Sequence, residues 1–576
     1  MINDYYIEEL KLLRAIAKDF SKENPAIAPM LGEPSADPDV ERLLEGVAFL
    51  TGAIRQKIDD EFPEIIHDLL RQIWPHYLRP LPSATLIAFS PGEKLSESNL
   101  IPPGITADSV PVSGTICHFR TCTELNVHPL HIRDVAYMDP SGQHPWIRVS
   151  FRLEHGDVSG FRPGRLRLYL GGNYIDASDL YLELLTGLRE IRIQAGGDEN
   201  VCHLGPCHLK PMGFSDDEAL IPWPSHAFEG YRLIQEYFLM PEKYLFVEVG
   251  GFDLWSPSTG SRDFHVDFVL DRAKTGAVKT GRHSFELFVT TAVNIFPHSA
   301  YPALSDHKKT DYPVRPSGYD QGKCQIYSIE KVSGVIESMN TEVTFADYHS
   351  FLSDDPPLVY HEKLSRNPVR DVVDFSVSLA YPGDMALPSM KSLSFDVLCT
   401  NGYLAENLGE GDIRFVHYGS PESISIKNIR KPTVAALPPL GSEALWRLTS
   451  ALSLNLRSLT RPENLKSLLK LFIMEGYRDR INVRTNERKI QGIKGLEIKD
   501  VDRLIAGTLM RGMDVRLSLS RNHFAGAGDV YLFGSVLSHF LALQAPLNTF
   551  TRLVVIETDS GETLSWKERM GRQSLA

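Results

Sequence analysis

The spacing of apolar residues changes once along this chain, and that change limits the fold more than any other feature. Near the start, apolar residues recur at steps of 4, 3, 4 and 3: Tyr6, Leu10, Leu13, Ala17 and Phe20. This spacing places apolar side chains on one face of a helix. After Ser83 the period becomes two, as in RLRLYL from Arg165, which is typical of half-buried strands. The sequence therefore predicts a helical start followed by a strand-rich body.

Prolines divide the helical start into three predicted helices. Asn24-Pro25 ends the first, and Asp37-Pro38 begins the second, with Asp37 as the N-cap. The second carries its own stripe at steps of 3, 4, 3 and 4: Val40, Leu43, Val47, Leu50 and Ile54. Phe62-Pro63 is expected to end it, so that Glu64 to Trp74 forms a third helix. Most amphipathic helices pack within their own chain, which favours a core role for these stripes over a contact with another subunit.

The strand-rich middle runs to about Ala435 and holds one predicted helix, with Ser225 as its N-cap and Pro241 as its stop. A proline-rich segment from Lys431 to Gly441 is typical of a linker. The predicted fold is α+β and multidomain. It comprises a helical N-terminal region (1–82), a β-rich domain with one inserted helix (83–300), a second β-rich domain (301–437) and an α+β C-terminal domain (438–576).

The last 139 residues alternate between the two periods. Helices are predicted at Glu443–Leu459, Asn464–Met474 and Asp529–Gln544. Strands are predicted at Met513–Leu519 and Asn548–Thr558, the latter followed by a hairpin at GETLSW.

Composition narrows the function classes. The chain has 60 basic and 73 acidic residues, a net charge of -13, which argues against general nucleic-acid binding because that rests on a basic surface. Six cysteines in 576 residues are too few for a secreted disulfide scaffold. No signal peptide and no apolar run of spanning length is evident. The sequence predicts a cytoplasmic protein without direct membrane insertion.

Two segments rich in cysteine and histidine are the first candidates for a metal site. They lie in CHFRTC and CHLGPCH: Cys117, His118 and Cys122, with Cys202, His203, Cys207 and His208. Thiolate and imidazole are good zinc ligands. Buried free cysteines are nevertheless common in cytosolic cores, where they act as small apolar residues. The looseness of the ligand pattern favours that interpretation, and no metal or other cofactor is predicted.

Asp263, His265 and Asp267 share one face of a predicted strand, an arrangement that suits a metal or acid–base chemistry. Any half-buried strand shows the same alternation, so the structural interpretation is favoured. No HExxH, GxSxG or EF-hand motif occurs. No catalytic residue is predicted, with a metal-dependent hydrolase built on these three residues as the alternative.

Two further segments are ambiguous. Gly526 and Gly528 precede a predicted helix, but without the remaining residues of a nucleotide-binding motif they indicate a turn that leads into it, with Asp529 near its positive end. A basic segment follows Arg478 and contains Arg480, Arg484, Arg488 and Lys489. It could bind RNA or an acidic protein, although a solvated strand–loop face is the favoured interpretation.

Long segments along nearly the whole chain carry a family resemblance. They include YYIEELKLLR from Tyr5, IWPHYLRPLPS from Ile73, FEGYRLIQEYFLMPEKYLFVEV from Phe228, PPLGSEALWRLTSALSLNLRSL from Pro438 and FAGAGDVYLFGSVLSHFLALQAPLNTFT from Phe524. In order and spacing they resemble the TssF (ImpG or VasA) family of type VI secretion baseplate subunits. None of them is a reactive motif.

The resemblance implies a structural role without catalysis. Members of that family are baseplate wedge subunits that assemble with TssG, commonly as two TssF copies per TssG, and with TssK and TssE. The wedges surround the VgrG spike hub in the cytoplasm, dock on the inner-membrane complex and support the tube and contractile sheath. A baseplate part of a phage-like contractile particle is the alternative that sequence does not separate.

Partner contacts are expected on two apolar stripes. The first comprises Tyr6, Leu10, Leu13 and Phe20, and the second comprises Trp446, Leu452 and Leu456. Long apolar stripes on separate helices can pack against a helix of another subunit, much like a domain core cut in half.

Overall fold

The computed structural model divides the chain into two compact units, residues 1–78 with 439–449 and residues 79–438 with 450–576. It describes residues 6–7, 10–11, 13–14, 38–224, 226–271, 279–304, 309–320, 322–336, 341–348, 358–367, 372–380, 390–416, 424–440, 461–474, 478–505 and 507–572. The finer four-part division predicted from the sequence stays a prediction.

The described helices are α1 (Pro38–Ile73), α2 (Tyr174–Thr186), α3 (Glu229–Leu239), α4 (Pro462–Lys470), α5 (Arg480–Gln491) and α6 (Ala527–Gln544). The described strands are β1 (Ala84–Pro91), β2 (Asn99–Ile101), β3 (Thr106–Ser109), β4 (His118–Thr121), β5 (Leu125–Val127), β6 (Leu130–Met138), β7 (Trp146–Leu153), β8 (Leu166–Leu170), β9 (Leu188–Ala195), β10 (Val201–Leu204), β11 (Leu209–Pro211), β12 (Phe246–Val249), β13 (Asp263–Leu270), β14 (Phe285–Leu287), β15 (Val289–Val293), β16 (Phe296–Ser299), β17 (Asp311–Val314), β18 (Gln325–Ile336), β19 (Thr341–Asp347), β20 (Val359–Asn367), β21 (Val372–Ala380), β22 (Met390–Thr400), β23 (Ile413–Val416), β24 (Ile424–Asn428), β25 (Ile493–Ile505), β26 (Thr508–Leu519), β27 (Phe550–Glu557), β28 (Thr563–Ser565) and β29 (Arg569–Met570).

In the smaller unit, α1 runs through Pro63 without a break over 36 residues. The expected end at Phe62-Pro63, with a separate helix from Glu64, is therefore wrong. A proline inside a helix removes one backbone hydrogen bond and costs about 3 kcal/mol. The many remaining hydrogen bonds of so long a helix outweigh that single loss. No helix among the described residues is both long and apolar enough to span a membrane.

The larger unit begins with a six-stranded sheet in the order β23-β3-β4-β15-β1-β24. Its paired strands are antiparallel, and several pairs lie far apart in sequence, such as β1 with both β15 and β24. A buried amide network fixes one end of this sheet. The Asn294 side chain donates to the His118 carbonyl oxygen and to Asn401 Oδ1, both at 2.8 Å.

A five-stranded sheet, β10-β9-β13-β7-β6, and a four-stranded sheet, β11-β12-β8-β14, follow. The alternation along β7 and β13 buries aromatic rings on one face. Phe151 and Phe264 stack with their ring centroids 5.0 Å apart, and Trp255 lies 5.2 Å from Phe264. Such pairs add stability beyond the area that they bury, so these sheets have a well-packed core.

A seven-stranded sheet has the order β16-β22-β18-β19-β20-β21-β17. The segments directly after its first and last strands are joined by a bridge between Ala300 and Pro316, next to a hydrogen bond of 2.8 Å from the Tyr301 N–H to the Arg315 carbonyl. Among the described strands of this sheet, only β19 and β20 pair in parallel.

The C-terminal part places α6 beside the sheet β25-β26-β27-β28, with β29 on β27. The predicted helix Asp529–Gln544 is confirmed, with its start two residues earlier, at Ala527. It is apolar on nearly all sides because α2 and α3 also pack against it. At Gly528, an added Cβ would lie 2.1 Å from the backbone of Ser178 in α2. The glycine therefore permits the two helices to cross closely, and the turn-to-helix interpretation of this segment is confirmed.

The basic segment after Arg478 is a helix, α5, and not the expected strand–loop face. Asp479 caps it, since its carboxylate accepts hydrogen bonds from the backbone N–H groups of Ile481 and Asn482 at 3.1 and 3.0 Å. Its buried face includes polar residues, Asn486 and Lys489. That is the reason why the apolar periodicity failed to indicate a helix.

Candidate partner interface

The most exposed apolar side chains of the smaller unit lie on α1. Leu43 is 68% exposed, Leu50 63% and Val47 39%. Their steps of 4 and 3 place them on one helical face. Phe49 is also exposed, at 51%, but lies off this face. Ala48 is fully buried, so α1 has a covered side and an uncovered side. Leu43, Val47 and Leu50, three residues of the stripe for which a core role was favoured, are therefore exposed in this chain.

The N-terminal stripe is more enclosed. Leu10 is buried, while Tyr6 and Leu13 are half-buried. Phe20, Trp446, Leu452 and Leu456 lie outside the described residues. The two predicted stripes therefore stay predictions, and α1 adds a third, exposed surface beside them.

A row of exposed leucine and valine side chains on one helical face is unusual on a protein that works alone. Rows of this kind mark surfaces that bind other proteins or ligands. The α1 face carries no acid–base pair or nucleophile among Leu43, Val47 and Leu50. Its chemistry suits burial against an apolar face of another helix.

The segments rich in cysteine and histidine do not form a zinc site in the described residues, which contain no group of three or more His, Cys, Asp or Glu residues placed to hold a metal. Burial raises the pKa of the Cys117 thiol to about 11 and that of Cys122 to about 12. A protonated thiol is a poor metal ligand because metals bind the thiolate. His118 instead bonds Asp108, with 2.6 Å between Nδ1 and Oδ1.

The strand β13 uses its polar face for cross-strand pairs. Asp267 is buried and accepts two hydrogen bonds from Arg148 of β7, at 2.8 and 2.7 Å. His265 Nε2 lies 3.1 Å from Gln194 Oε1 of β9. Burial, followed by the charge of Arg148, lowers the pKa of His265. The carboxylate that was considered as a base is thus committed to an arginine, which favours the structural interpretation of this strand.

A buried polar cluster that the sequence did not reveal joins four helices. Asp529 of α6 is fully buried, and its Oδ1 accepts from Lys489 Nζ at 2.7 Å and from Tyr174 Oη at 2.6 Å. Tyr237 Oη of α3 lies 3.3 Å from the same oxygen. Burial raises the pKa of both tyrosines well above the usual value, so both remain donors. One signal of this cluster was present in the sequence, an aspartate (Asp529) within a strongly apolar helix.

Comparison with known proteins identifies the chain. Residues 1–573 match the family described as Type VI secretion system, TssF. The chain belongs to the TssF family. It is 27% identical to the type VI secretion system component TssF1 of Pseudomonas aeruginosa, over 99% of this chain and 98% of that protein.

Two solved structures share the TssF fold seen here. One is a chain of the TssK-TssF-TssG baseplate subcomplex, with a TM-score of 0.78, 27% identity and coverage of 93% of this chain and 99% of that one. The other is a chain of the type VI secretion system baseplate complex, with a TM-score of 0.63, 25% identity and full coverage of both chains. Both structures are of assemblies, in which a subunit binds its partners through its surface.

Proposed function

We propose that this TssF chain is a structural wedge subunit of a type VI secretion baseplate and has no catalytic activity. The observation that carries the proposal is the match of nearly the whole chain to a chain of a TssK-TssF-TssG subcomplex. The pairing of Asp267 with Arg148 supports the absence of catalysis, because it occupies one of the three residues considered for a hydrolase. In this role the protein contributes rigid shape and binding surfaces.

The proposed partners are TssG, a second copy of this chain, TssK and TssE, arranged around the VgrG spike hub. Two copies per TssG is the proposed ratio. The wedge forms in the cytoplasm, joins the membrane complex at the inner membrane and carries the tube and sheath. The family assignment supports a place in the baseplate, and the solved TssK-TssF-TssG subcomplex with the same fold supports TssK and TssG as partners.

We propose the α1 face as the main contact with TssG, together with the stripe of Tyr6, Leu10, Leu13 and Phe20 and that of Trp446, Leu452 and Leu456. The reason for placing the α1 face first is exposure. Fully burying one leucine stabilises a complex by about 1.5–3 kcal/mol, and Leu43 and Leu50 are both more than three-fifths exposed in the chain alone. Helix faces of this kind pack by interdigitating their side-chain rows.

Co-expression with TssG tests the contact. A Leu43→Asp/Leu50→Asp double variant should remain folded, since both side chains are exposed, but should lose TssG on affinity purification. The matched control is Leu254→Asp/Leu304→Asp, which changes two leucines that are 64% and 77% exposed in the larger unit. The control should retain TssG in full yield. Full retention of TssG by the α1 variant as well would refute the proposed contact.

The wedge role itself is tested separately, by native mass spectrometry of tagged protein from its host. Recovery of TssG and TssK with two copies of this chain per TssG supports the role and the ratio. A monomer free of these proteins under the same conditions overturns it. Because this measurement uses the unaltered chain, a wrong interface does not affect its outcome.

A further inference from the structure

One face of α5 presents a row of arginines to solvent. Arg480, Arg484 and Arg488 are exposed and recur at steps of four, so their side chains follow one another along the helix. We call these three residues the arginine row. Ile481, at the edge of the row, is 81% exposed. Glu487 is the one acidic residue on this face of the helix.

The arginine row is electrostatically unfavourable in the chain alone. Like charges four residues apart on a helix destabilise it by about 0.2–0.5 kcal/mol per pair, and the row contains two such pairs. Arg480 also places a cation at the helix N-terminus, where the macrodipole favours an anion. A helix under no constraint beyond its own stability would gain from an acidic residue at one of these positions.

Several other exposed arginines of the larger unit have carboxylate partners, although Arg414 and Arg516, for example, are exposed without one within 4.0 Å among the described residues. Arg165 lies 3.5 Å from Glu248, Arg189 lies 4.0 Å from Asp271, and Arg511 lies 3.6 Å from Asp500. Within the part of the chain that the structure describes, no carboxylate lies within 4.0 Å of the three guanidinium groups of the arginine row. Arg488 does bond the Asn522 carbonyl oxygen, at 2.5 Å. That neutral acceptor leaves its charge uncompensated.

The opposite face of α5 is held rigidly. Lys489 is buried against Asp529, Ile490 is fully buried, and Asn486 donates to the Phe238 carbonyl oxygen at 3.2 Å. The arginine row is therefore presented by a fixed element and not by a flexible tail. A ligand that binds it meets charges already at a set spacing, which lowers the entropy cost of binding.

We propose that the arginine row is a docking surface for an acidic segment of a partner protein. Guanidinium groups bind carboxylates through paired, charge-assisted hydrogen bonds, and three of them along one helix match a segment that carries several Asp or Glu side chains. The exposed Ile481 adds an apolar contact of the kind that protein partners use. This surface is separate from α1, and the proposal does not depend on which partner binds there.

Nucleic acid is the competing ligand for an arginine row, and charge argues against it. The whole chain carries a net charge of -13, which repels a long polyanion more strongly than a short acidic segment because the repulsion grows with the charge of the ligand. Acidic side chains also lie close to the row: Glu487 on the same face, and Asp559, whose carboxylate accepts from Ser520 Oγ at 3.0 Å beside Asn522. A short acidic segment can avoid these groups more readily than a continuous phosphate backbone can.

The test measures binding of a fluorescein-labelled oligoglutamate peptide to the full chain by fluorescence anisotropy. The variant is Arg480→Gln/Arg484→Gln/Arg488→Gln. The matched control, Arg165→Gln/Arg189→Gln/Arg511→Gln, removes the same charge from side chains that are 73%, 58% and 71% exposed. We expect the row variant to weaken binding by about tenfold or more, whereas the control matches the wild type. Binding should also weaken as salt is added.

Two results overturn the proposal. In one, the wild-type chain and the row variant bind the peptide with equal affinity. In the other, a single-stranded oligonucleotide of matched charge binds the wild type more tightly than the peptide does, and the row variant loses that binding. The replaced side chains are exposed and their like-charge pairs are removed, so the row variant should melt at the wild-type temperature or slightly above it. Arg484→Gln alone, with a smaller loss of affinity, provides the same comparison if the triple variant melts earlier.

Discussion

Lys489→Met is the sharpest test of how the C-terminal part of this TssF chain is held together. The Lys489 side chain is 5% exposed and its partner Asp529 is 0% exposed, with 2.7 Å between Nζ and Oδ1. Methionine keeps most of the length of the lysine and removes its charge. The variant leaves a carboxylate buried without its cation, a change that typically costs about 3–5 kcal/mol.

Remaining hydrogen bonds place the expected loss toward the lower half of that range. Asp529 still accepts from Tyr174 Oη at 2.6 Å and from the Ala525 N–H at 3.1 Å. It also lies in the first turn of α6, where the helix dipole favours an anion. Asp529→Leu should cost more, because it leaves the ammonium group of Lys489 buried with Tyr237 Oη as a neutral partner at 3.0 Å.

Hydrogen exchange measured by mass spectrometry on α6 peptides is the assay, since it reports local opening in a chain too large for two-state unfolding. A loss of about 3 kcal/mol corresponds to about a hundredfold faster exchange. Lys494→Met, at an exposed position of β25, is the control and should leave α6 unchanged. The double variant Lys489→Met/Asp529→Leu should exchange more slowly than Asp529→Leu alone. Either of two results would refute the role of this ion pair. One is a change in the exchange rate of less than tenfold for Lys489→Met, and the other is a loss of stability in the double variant equal to the sum of the losses in the two single variants.

Two further predictions concern packing and pH. Gly528→Ala places a Cβ 2.1 Å from the Ser178 backbone, so it should destabilise the α2–α6 crossing by about 3 kcal/mol or more and lower the melting temperature. Gly260→Ala is the control and should not lower the melting temperature, because the added Cβ has no atom within 4 Å. Burial lowers the pKa of His128 to about 4. Its contribution to stability is therefore fully present above its unfolded pKa of about 6.5, where the ring is neutral in both states. About 3 kcal/mol of the free energy of unfolding is lost as the pH falls from about 6.5 towards 4. His128→Phe should flatten the dependence of the melting temperature on pH over that window, and an unchanged slope would contradict the assignment.

Elements with a strong apolar period were predictable from sequence. The α6 helix and the strand β27 lie within two residues of their predicted bounds, because burial on the helix and alternation on the strand leave clear patterns. α5 was missed for the converse reason, since Asn486 and Lys489 form part of its buried face. Periodicity of apolar residues does not detect a helix that is anchored by polar side chains whose partners come from elsewhere in the chain.

The rule that a proline ends a helix also failed, in α1. The sequence indicates where a backbone N–H is missing, at Pro63, but not whether the hydrogen bonds on either side suffice to continue the helix. The polar face of β13 shows the same kind of limit. Asp263, His265 and Asp267 looked equally available for chemistry, yet Arg148 of β7, which pairs with Asp267, is distant in sequence and cannot be chosen from the many arginines of the chain.

The hardest property to predict was exposure, and for an assembly subunit exposure decides function. Leu10 and Leu43 lie on stripes with the same steps of four and three, yet Leu10 is 9% exposed and Leu43 is 68% exposed. The period states that a helix has an apolar face and does not state whether that face is covered by the same chain or by another. The same holds for the arginine row, because the sequence shows that the helix has a basic face but not whether that face is paired with carboxylates of the same chain or of another. In both cases a surface that costs the isolated chain stability is expected where a partner compensates for it, because binding a partner to the folded state stabilises that state.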